Sequence, residues 1–491
     1  MKLIHELESS RYNDTEHMHA MQKNKASKKP KSFSKLIATS FLVFIILFLL
    51  ATIRHQLLHS NAYDLGIFEQ YLWMASKGIF APGTIHEMHI FADHGAFALL
   101  PMSLLYSIWS SPLCLLAMQS LCIAFTAIPL WIYTKKFDAT DNQSWLVALT
   151  WWMTPVAFNA NLFDFHPEIC FLPLIAYVFC KIKSQEHPLS IILLLFCLLL
   201  ARDGNALLLT GIAITLFLYR MPKTSLALVS CTFLWILFLT RFLYPALGKT
   251  GDSFHAADRY THLGGSWSGF LHNLFSDPAS MFIAMQPADS FIYILMVFAP
   301  FAFLLRKSDP AIILSTIPLI ASNVLSSNYS QKTLIHHYSL PIVLLILIAT
   351  VTKGNLQGFY GKGKSKFHLF LITILWILLA KPGYFASTYL SRTEMIEPLK
   401  NAKELIQSSD KLITSSYLVP HFSGREYIKF PRESEDISQL LKTYDTILFN
   451  PEKPGWGSKT EIQIKIINSA LKENWRCQAL DGVFDLCIKP K

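Results

Sequence analysis

The sequence predicts a mainly α, polytopic transmembrane protein that ends in a small α/β domain. Three observations carry this. Of 491 residues, 52% are hydrophobic and only 15% charged, against about a quarter charged in an ordinary soluble domain. Long apolar runs recur, among them "LIATSFLVFIILFLLATI" (36–53), "LALVSCTFLWILFL" (226–239) and "LPIVLLILIATV" (340–351), several near the roughly 20 residues that cross a bilayer core. Basic residues collect in the short links between runs: "KNKASKKPKSFSK" (23–35), "KK" (135–136), "KIK" (181–183), "YRMPK" (219–223), "RK" (306–307) and "KGKSK" (362–366). Cytoplasmic loops carry such an excess of Lys and Arg.

The links thread the chain in one way. A basic cytoplasmic tail, 1–35, precedes a transmembrane region, 36–390. About eleven spans are expected, near 36–53, 113–134, 145–161, 168–183, 188–201, 204–220, 224–246, 289–305, 310–326, 337–352 and 367–385. Two long loops, 54–112 and 248–288, then fall outside, and so do residues 391–491. The polar stretch ahead of the first run, with no small-residue cleavage site after it, argues against a cleaved signal peptide. The net charge of +10 belongs to the links. No basic, aromatic-interleaved groove is visible, which excludes a nucleic-acid partner.

The C-terminal residues read differently. "MIEPLKNAKELIQ" (395–407) and "TEIQIKIINSALKENW" (460–475) have helical spacing. "KLITSSY" (411–417), "EYIKFP" (426–431) and "DTILFN" (445–450) read as strands, and "CQALDGVFDLCIKP" (477–490) as a hairpin around Asp481-Gly482. This is a soluble α/β domain. Cys477 and Cys487 flank its hairpin and are a candidate disulfide in an oxidising compartment. The other six cysteines lie in or near spans and act as small apolar side chains.

Unusual polar residues gather at the outer ends of the spans, where ionisable groups are costly and suggest a site. "NAYDLGIFEQYLW" (61–73) places Asp64 before a helix suited to the membrane interface; Asp64 can cap that helix, do chemistry, or both. "HEMHIFADH" (86–94) holds His86, His89, Asp93 and His94 and resembles a metal site only loosely, since its His spacing lacks the i, i+4 geometry of helical zinc pairs. "FDFHPE" (163–168) sets Asp164, His166 and Glu168 about a proline: a solvated turn, a metal ligand pair, or a base with its orienting partner. "LLLARDGNALLL" (198–209) interrupts a long apolar stretch with Arg202 and Asp203. Arg suits bidentate phosphate recognition, and His336 and His337 of "IHHYSLP" (335–341) add two further phosphate donors; hydrated or mutually paired caps are the alternative for each. No phosphate-binding loop, dinucleotide fingerprint or nucleophile elbow is present.

"YDLGIFEQYLW", "HIFADHGAFALLPMSLLY", "FDFHPEICFLPLIAY", "LLARDGNALLL", "HHYSLPIVLL" and "LVPHFSGREYIKFP", in that order, resemble the DUF2079 family of bacterial membrane proteins over most of residues 54–450. The first 35 residues and 248–288 lie outside the resemblance. The family is similar in layout to the GT-C glycosyltransferases. These are polytopic enzymes with an acidic first outer loop, a polyprenyl-phosphate sugar donor and often a soluble outer domain. The resemblance implies a bacterial inner-membrane protein in which Asp64 activates an acceptor while Arg202 and His337 hold a lipid-linked phosphate. Many GT-C enzymes carry paired acids, whereas Leu65 follows Asp64 here. Glu69 lies about 140° further round a helix, so a metal shared by the two is not expected.

The expected function is an inverting, metal-independent transfer of sugar from a polyprenyl-phosphate donor to a glycan, lipid or protein acceptor at the outer face. Asp64 would be catalytic, and Arg202, His337 and His336 would bind the donor phosphate. Glu69, Asp93, His94, Asp164, His166, Glu168 and Asp203 would support them. No cofactor is expected, a divalent metal being the lesser alternative. A non-catalytic lipid-phosphate-binding or transport protein on the same scaffold is the competing reading.

Overall fold

The computed structural model describes residues 31–92, 94–248, 257–264, 267–361, 364–380, 382 and 386–490. Most are helical, and a five-stranded sheet closes the chain. By length and composition three described helices can cross a membrane alone: Lys31–Gln56, Pro112–Lys135 and Pro222–Ala246. A fourth crossing is formed if Pro278–Ala284 and Pro287–Phe301, bent by 56°, count as one. The other expected spans are shorter or broken. Residues 145–161 divide into Asp141–Trp152 and Pro155–Leu162. Thr154, ahead of Pro155, is extended (ψ 120°), as the residue before a proline prefers. Residues 310–326 divide into Pro310–Leu314 and Ile317–Leu325. Apolar content thus lies where the sequence puts it, but helix length does not reproduce eleven full spans.

The helices surround Leu340–Thr350, every residue of which but Pro341 is buried. On the outermost helices large apolar side chains face away from the protein. Phe41, Leu42, Ile46, Leu49 and Ile53 do so on Lys31–Gln56, and Leu226, Phe233 and Leu234 on Pro222–Phe238. Such a surface matches a lipid solvent and is too large for a water-soluble monomer.

The basic links touch one another. Trp145 Nε1 donates to Ser32 Oγ (3.3 Å), Lys183 lies over the Phe137 ring (4.4 Å), and Lys353 pairs with Asp138 (3.6 Å). Tyr219 donates to Asp309 (2.6 Å) and Lys307 Nζ to the Gly354 carbonyl (3.5 Å). Links far apart in sequence, such as those at Asp138 and Lys353, therefore share one end of the helical body.

At the other end lie the loop 54–112 and the C-terminal sheet. The loop carries a two-residue ladder between β1 (Pro82–Gly83) and β2 (Met88–His89). The sheet contains β3 (Leu412–Thr414), β4 (Ile428–Lys429), β5 (Thr446–Phe449), β6 (Arg476–Leu480) and β7 (Phe484–Ile488), in the order β4-β3-β5-β7-β6. Its β4-β3-β5 part is parallel, and β7 and β6 add antiparallel. Asp481 and Gly482 turn the β6–β7 hairpin with φ 53° and 68°, and Cys477 and Cys487, opposite each other in register, are disulfide-bonded. A short helix, Ile437–Thr443, was not foreseen.

One face of the sheet packs on Thr460–Lys472 through Ile413, Ile447, Phe449 and Ile466. The other face belongs to the core of the 54–112 loop: Leu412, Tyr417, Val419 and Phe430 share a cluster with Leu65, Phe68, Tyr71 and Tyr106. The sheet is thus built into the roof over the loop that carries Asp64.

Candidate active site

Asp64 does not cap the helix that follows. That helix, Ile67–Ser76, starts from Gly66 with no side-chain cap, and the π turn before it, Ala62–Gly66, has none either. Asp64 instead sits within the turn at φ 70°, ψ −99°, a backbone region that L-residues with side chains rarely occupy. Its Oδ1 lies 3.3 Å from His166 Nε2.

From there a chain of polar side chains runs inward. The His166 and His337 rings lie 3.8 Å apart, tilted by 33°. His337 Nε2 is 3.1 Å from Glu168 Oε1 and 3.2 Å from Arg202 Nη1. Arg202 pairs directly with Glu168, and its Nη2 reaches His94 Nε2 at 3.2 Å. His94 Nδ1 is 3.1 Å from Asp203 Oδ1, and Tyr244 donates to Asp203 Oδ2 (2.9 Å). Arg202 accepting no proton, His94 Nε2 must accept from it, so Nδ1 carries the hydrogen donated to Asp203. The ring nitrogen Nδ1 of His166 and that of His337 are buried without a partner among the described residues.

Local sequence explains the meeting. Pro167 starts a 3-10 turn that puts His166 and Glu168 on either side of it. Arg202, extended at φ −166°, ψ 138°, breaks Pro188–Ala201 from Asn205–Leu218, so the guanidinium leaves the helical stack at its tip. His337 opens the 3-10 turn ahead of the central helix.

The electrostatics differ along the chain. Burial disfavours charge on Asp64, but the His166 imidazole, with His337 and Arg202 behind it, holds the carboxyl below its usual range. Burial likewise opposes charge on His166, and the Asp64 carboxylate, then Glu168, reverses the balance and raises it. Burial works against Asp203 too, and His94 and Arg202 bring it down. The Asp64 side chain is 35% exposed and that of His166 only 3%, so the chain opens to solvent at Asp64.

The remaining expected residues divide. Asp164, also at positive φ (57°), stands beside the chain: it accepts from Arg54 Nη1 (2.6 Å) and from the Asn61 amide (3.1 Å). It thereby ties the end of the first long helix to the turn that bears Asp64. His336 stays apart, against the Phe163 ring at 4.1 Å. Glu69 turns away from Asp64, buried with the hydroxyls of Tyr106 (2.9 Å) and Ser423. Burial lifts its carboxyl to about 7 against the pull of those hydrogen bonds. His86 stacks edge-on to Tyr63 and His89 leans on Phe91, so with His94 they do not converge. Among the described residues no three His, Cys, Asp or Glu form a group fit for a metal ion. Asp93 lies outside the described residues.

Arg54, Gln119 and Tyr244 escaped the sequence reading. Arg54 had a signal, being the charge that ends the first apolar run. Gln119 had one too: it is a lone amide inside an apolar span, and it receives the His166 amide (2.9 Å) and donates to the Asp164 carbonyl (2.8 Å).

A family model described as a predicted membrane protein, DUF2079, matches residues 54–483. The chain belongs to the DUF2079 family. This DUF2079 protein is therefore a membrane protein, and its fold has solved counterparts. ArnT from Cupriavidus metallidurans in the apo state is similar with a TM-score of 0.53 at 9% identity, over 93% of this chain and 99% of that one. The Archaeoglobus fulgidus oligosaccharyltransferase, tethered with an acceptor peptide containing the NVT sequon, gives 0.43 at 11% identity, over 84% and 69%. At such identities the first likeness shows the fold alone, and the second is too loose to build on. The chain thus shares its fold, of the GT-C kind, with ArnT. Comparison with curated proteins gives no sequence match.

Proposed function

We propose that the protein transfers a sugar from a polyprenyl-phosphate donor to an acceptor hydroxyl at the extracytoplasmic surface of the bacterial inner membrane. The basic links lie on the cytoplasmic side with the N-terminus, and the C-terminal sheet lies outside with Asp64.

The acceptor oxygen attacks the anomeric carbon from the face opposite the phosphate. The bond from that carbon to the phosphate oxygen breaks, and polyprenyl phosphate leaves with the bonding pair. The acceptor's proton passes to Asp64, and the configuration inverts. His166 keeps Asp64 ionised and turned towards the opening. Arg202 meets the phosphate charge, with Glu168 as its partner until the anion arrives. His337 lies beside it and His336 stands further out. The step as written uses no metal ion.

The observation that carries this reading is the Asp64–His166 pair at the more solvent-facing end of a largely buried ionic chain, on a fold of the GT-C kind. The test is release of polyprenyl phosphate from a panel of polyprenyl-phosphate hexoses in detergent or nanodiscs. Wild type releases it in the presence of acceptor extract, and Asp64→Asn does so slower by roughly 10²–10⁴. Binding of polyprenyl phosphate without release by wild type overturns the enzyme in favour of a lipid-phosphate-binding protein.

A further inference from the structure

Asp64 keeps an unfavourable backbone conformation, and such residues persist only where their surroundings over-determine them. Both of its flanks are held by the C-terminal sheet region. On one side, Tyr63 projects into a cage. Phe430 and Trp456 meet its ring edge-on at 5.4 and 5.5 Å, His86 does so at 6.0 Å, and Arg432 Nη2 donates to its hydroxyl. On the other side, Gly66 is pressed against Val419. A Cβ at Gly66 would lie 2.9 Å from Val419 Cγ1, closer than real contacts allow, although the helical φ of −65° at Gly66 would accept alanine.

The cage wall is itself fixed. Trp456 is 61% exposed, an unusual position for an indole, and two left-handed glycines hold its loop there, Gly455 at φ 83° and Gly457 at φ 71°. A Cβ on Gly455 would strike the Tyr417 ring at 2.5 Å, and Ser416 Oγ donates to the Trp456 carbonyl. The loop is thus braced against the sheet and leans on the residue next to Asp64.

The geometry points to a clamp: Arg432, Trp456 and Val419 of the C-terminal region are positioning residues that hold the 62–66 turn in the one conformation that presents Asp64 to His166. The proposal rests on the catalytic reading of Asp64 for its consequence, but not for its geometry. Seating of the C-terminal region then controls whether the carboxylate is aligned, and a partner or acceptor that shifts the 430–457 surface changes turnover without touching the ionic chain.

The test uses the full-length protein in nanodiscs and reads two quantities. One is hydrogen exchange of peptides covering 61–67, with β5 as the internal control. The other is polyprenyl phosphate release, separated into kcat and KM for donor. Arg432→Ala and Gly66→Ala are expected to speed exchange at 61–67 by about tenfold with β5 protection intact. They should lower kcat by roughly tenfold or more at unchanged KM. Val419→Ala added to Gly66→Ala removes the colliding methyl and should restore both readings. Tyr63→Phe, which deletes one hydroxyl, serves if a larger change disturbs β5, and should move both readings in the same direction by less. Unchanged exchange at 61–67 in Arg432→Ala and Gly66→Ala overturns the clamp, as does a double variant no better than Gly66→Ala. Faster exchange at 61–67 in a protein that releases no polyprenyl phosphate even as wild type upholds the clamp and sinks the catalytic reading instead.

Discussion

His166 Nε2 stands 3.3 Å from Asp64 Oδ1, and each residue alters the ionisation of the other. The imidazole is almost wholly buried, so its charge is screened little, and the pair depends on both members being ionised. Burial alone would push the carboxyl up and the imidazole down; their mutual attraction leads the reversal of both shifts, with His337 and Arg202 adding to the first and Glu168 to the second.

Removing the imidazole has a signed consequence. In His166→Gln the amide can still donate a hydrogen bond, but the positive charge is gone, and burial then raises the Asp64 carboxyl. The acid limb of the pH–rate profile for polyprenyl phosphate release should move to higher pH relative to wild type. A limb that stays in place shows that Asp64 is not the group titrating in catalysis.

Arg202 contacts Glu168 and His337 through one nitrogen and His94 through the other. Lys keeps the charge but has one nitrogen and no planar fork. Arg202→Lys should therefore lower stability in detergent by about 1–3 kcal/mol, read as a fall in the unfolding midpoint, and weaken polyprenyl phosphate binding. Unaltered stability and binding would make Arg202 an ordinary turn residue.

Glu69 gives the loop–sheet contact a pH dependence. Its carboxyl rises from 4.5 to about 7 on folding, so the folded state binds the proton more tightly. The stabilisation is fully present below the unfolded value and is lost as pH rises through the folded one. The shift corresponds to about 3 kcal/mol at most. Protection of peptides around Ser423, corrected for the intrinsic pH dependence of amide exchange, should fall between the unfolded value of 4.5 and the folded value of about 7, and Glu69→Gln should flatten that slope. An equal slope in Glu69→Gln would assign it to other groups facing the contact, among them Lys403, His55 and His421.

Cys477 and Cys487 are bonded across β6 and β7, and such bonds persist in oxidising compartments. Cells treated with N-ethylmaleimide before lysis should give the two tail peptides as a linked pair. Two alkylated thiols would put the sheet, and Asp64 beneath it, on the cytoplasmic side.

The fold class and most of the ionic chain were legible because charge is costly at membrane level. Arg202, Glu168, His166 and Asp64 stand out against apolar neighbours, and the basic links gather at one end of the helical body. What the chain hides is pairing at long range and backbone conformation. Spacing makes Asp64 an apt cap, yet the turn places it at positive φ and gives it to His166. Helical periodicity separates Glu69 from Asp64 but does not reveal that its partner is Ser423, 354 positions away. Helix breaks at Thr154 and near Pro318 follow from proline, but within apolar runs hydropathy reads straight through them.

The most direct measurement of the central claim is the rate of sugar transfer by Asp64→Asn. The side chain keeps its shape, caps no helix in either form, and loses only the ability to take a proton. General-base catalysis is worth roughly 10²–10⁴ in rate, so the variant should fold, remain in the membrane, bind polyprenyl phosphate as wild type does, and transfer sugar slower by about that factor. Transfer at the wild-type rate would contradict the account, and Asp64 would then be no more than a well-placed polar residue at the edge of a lipid-binding site.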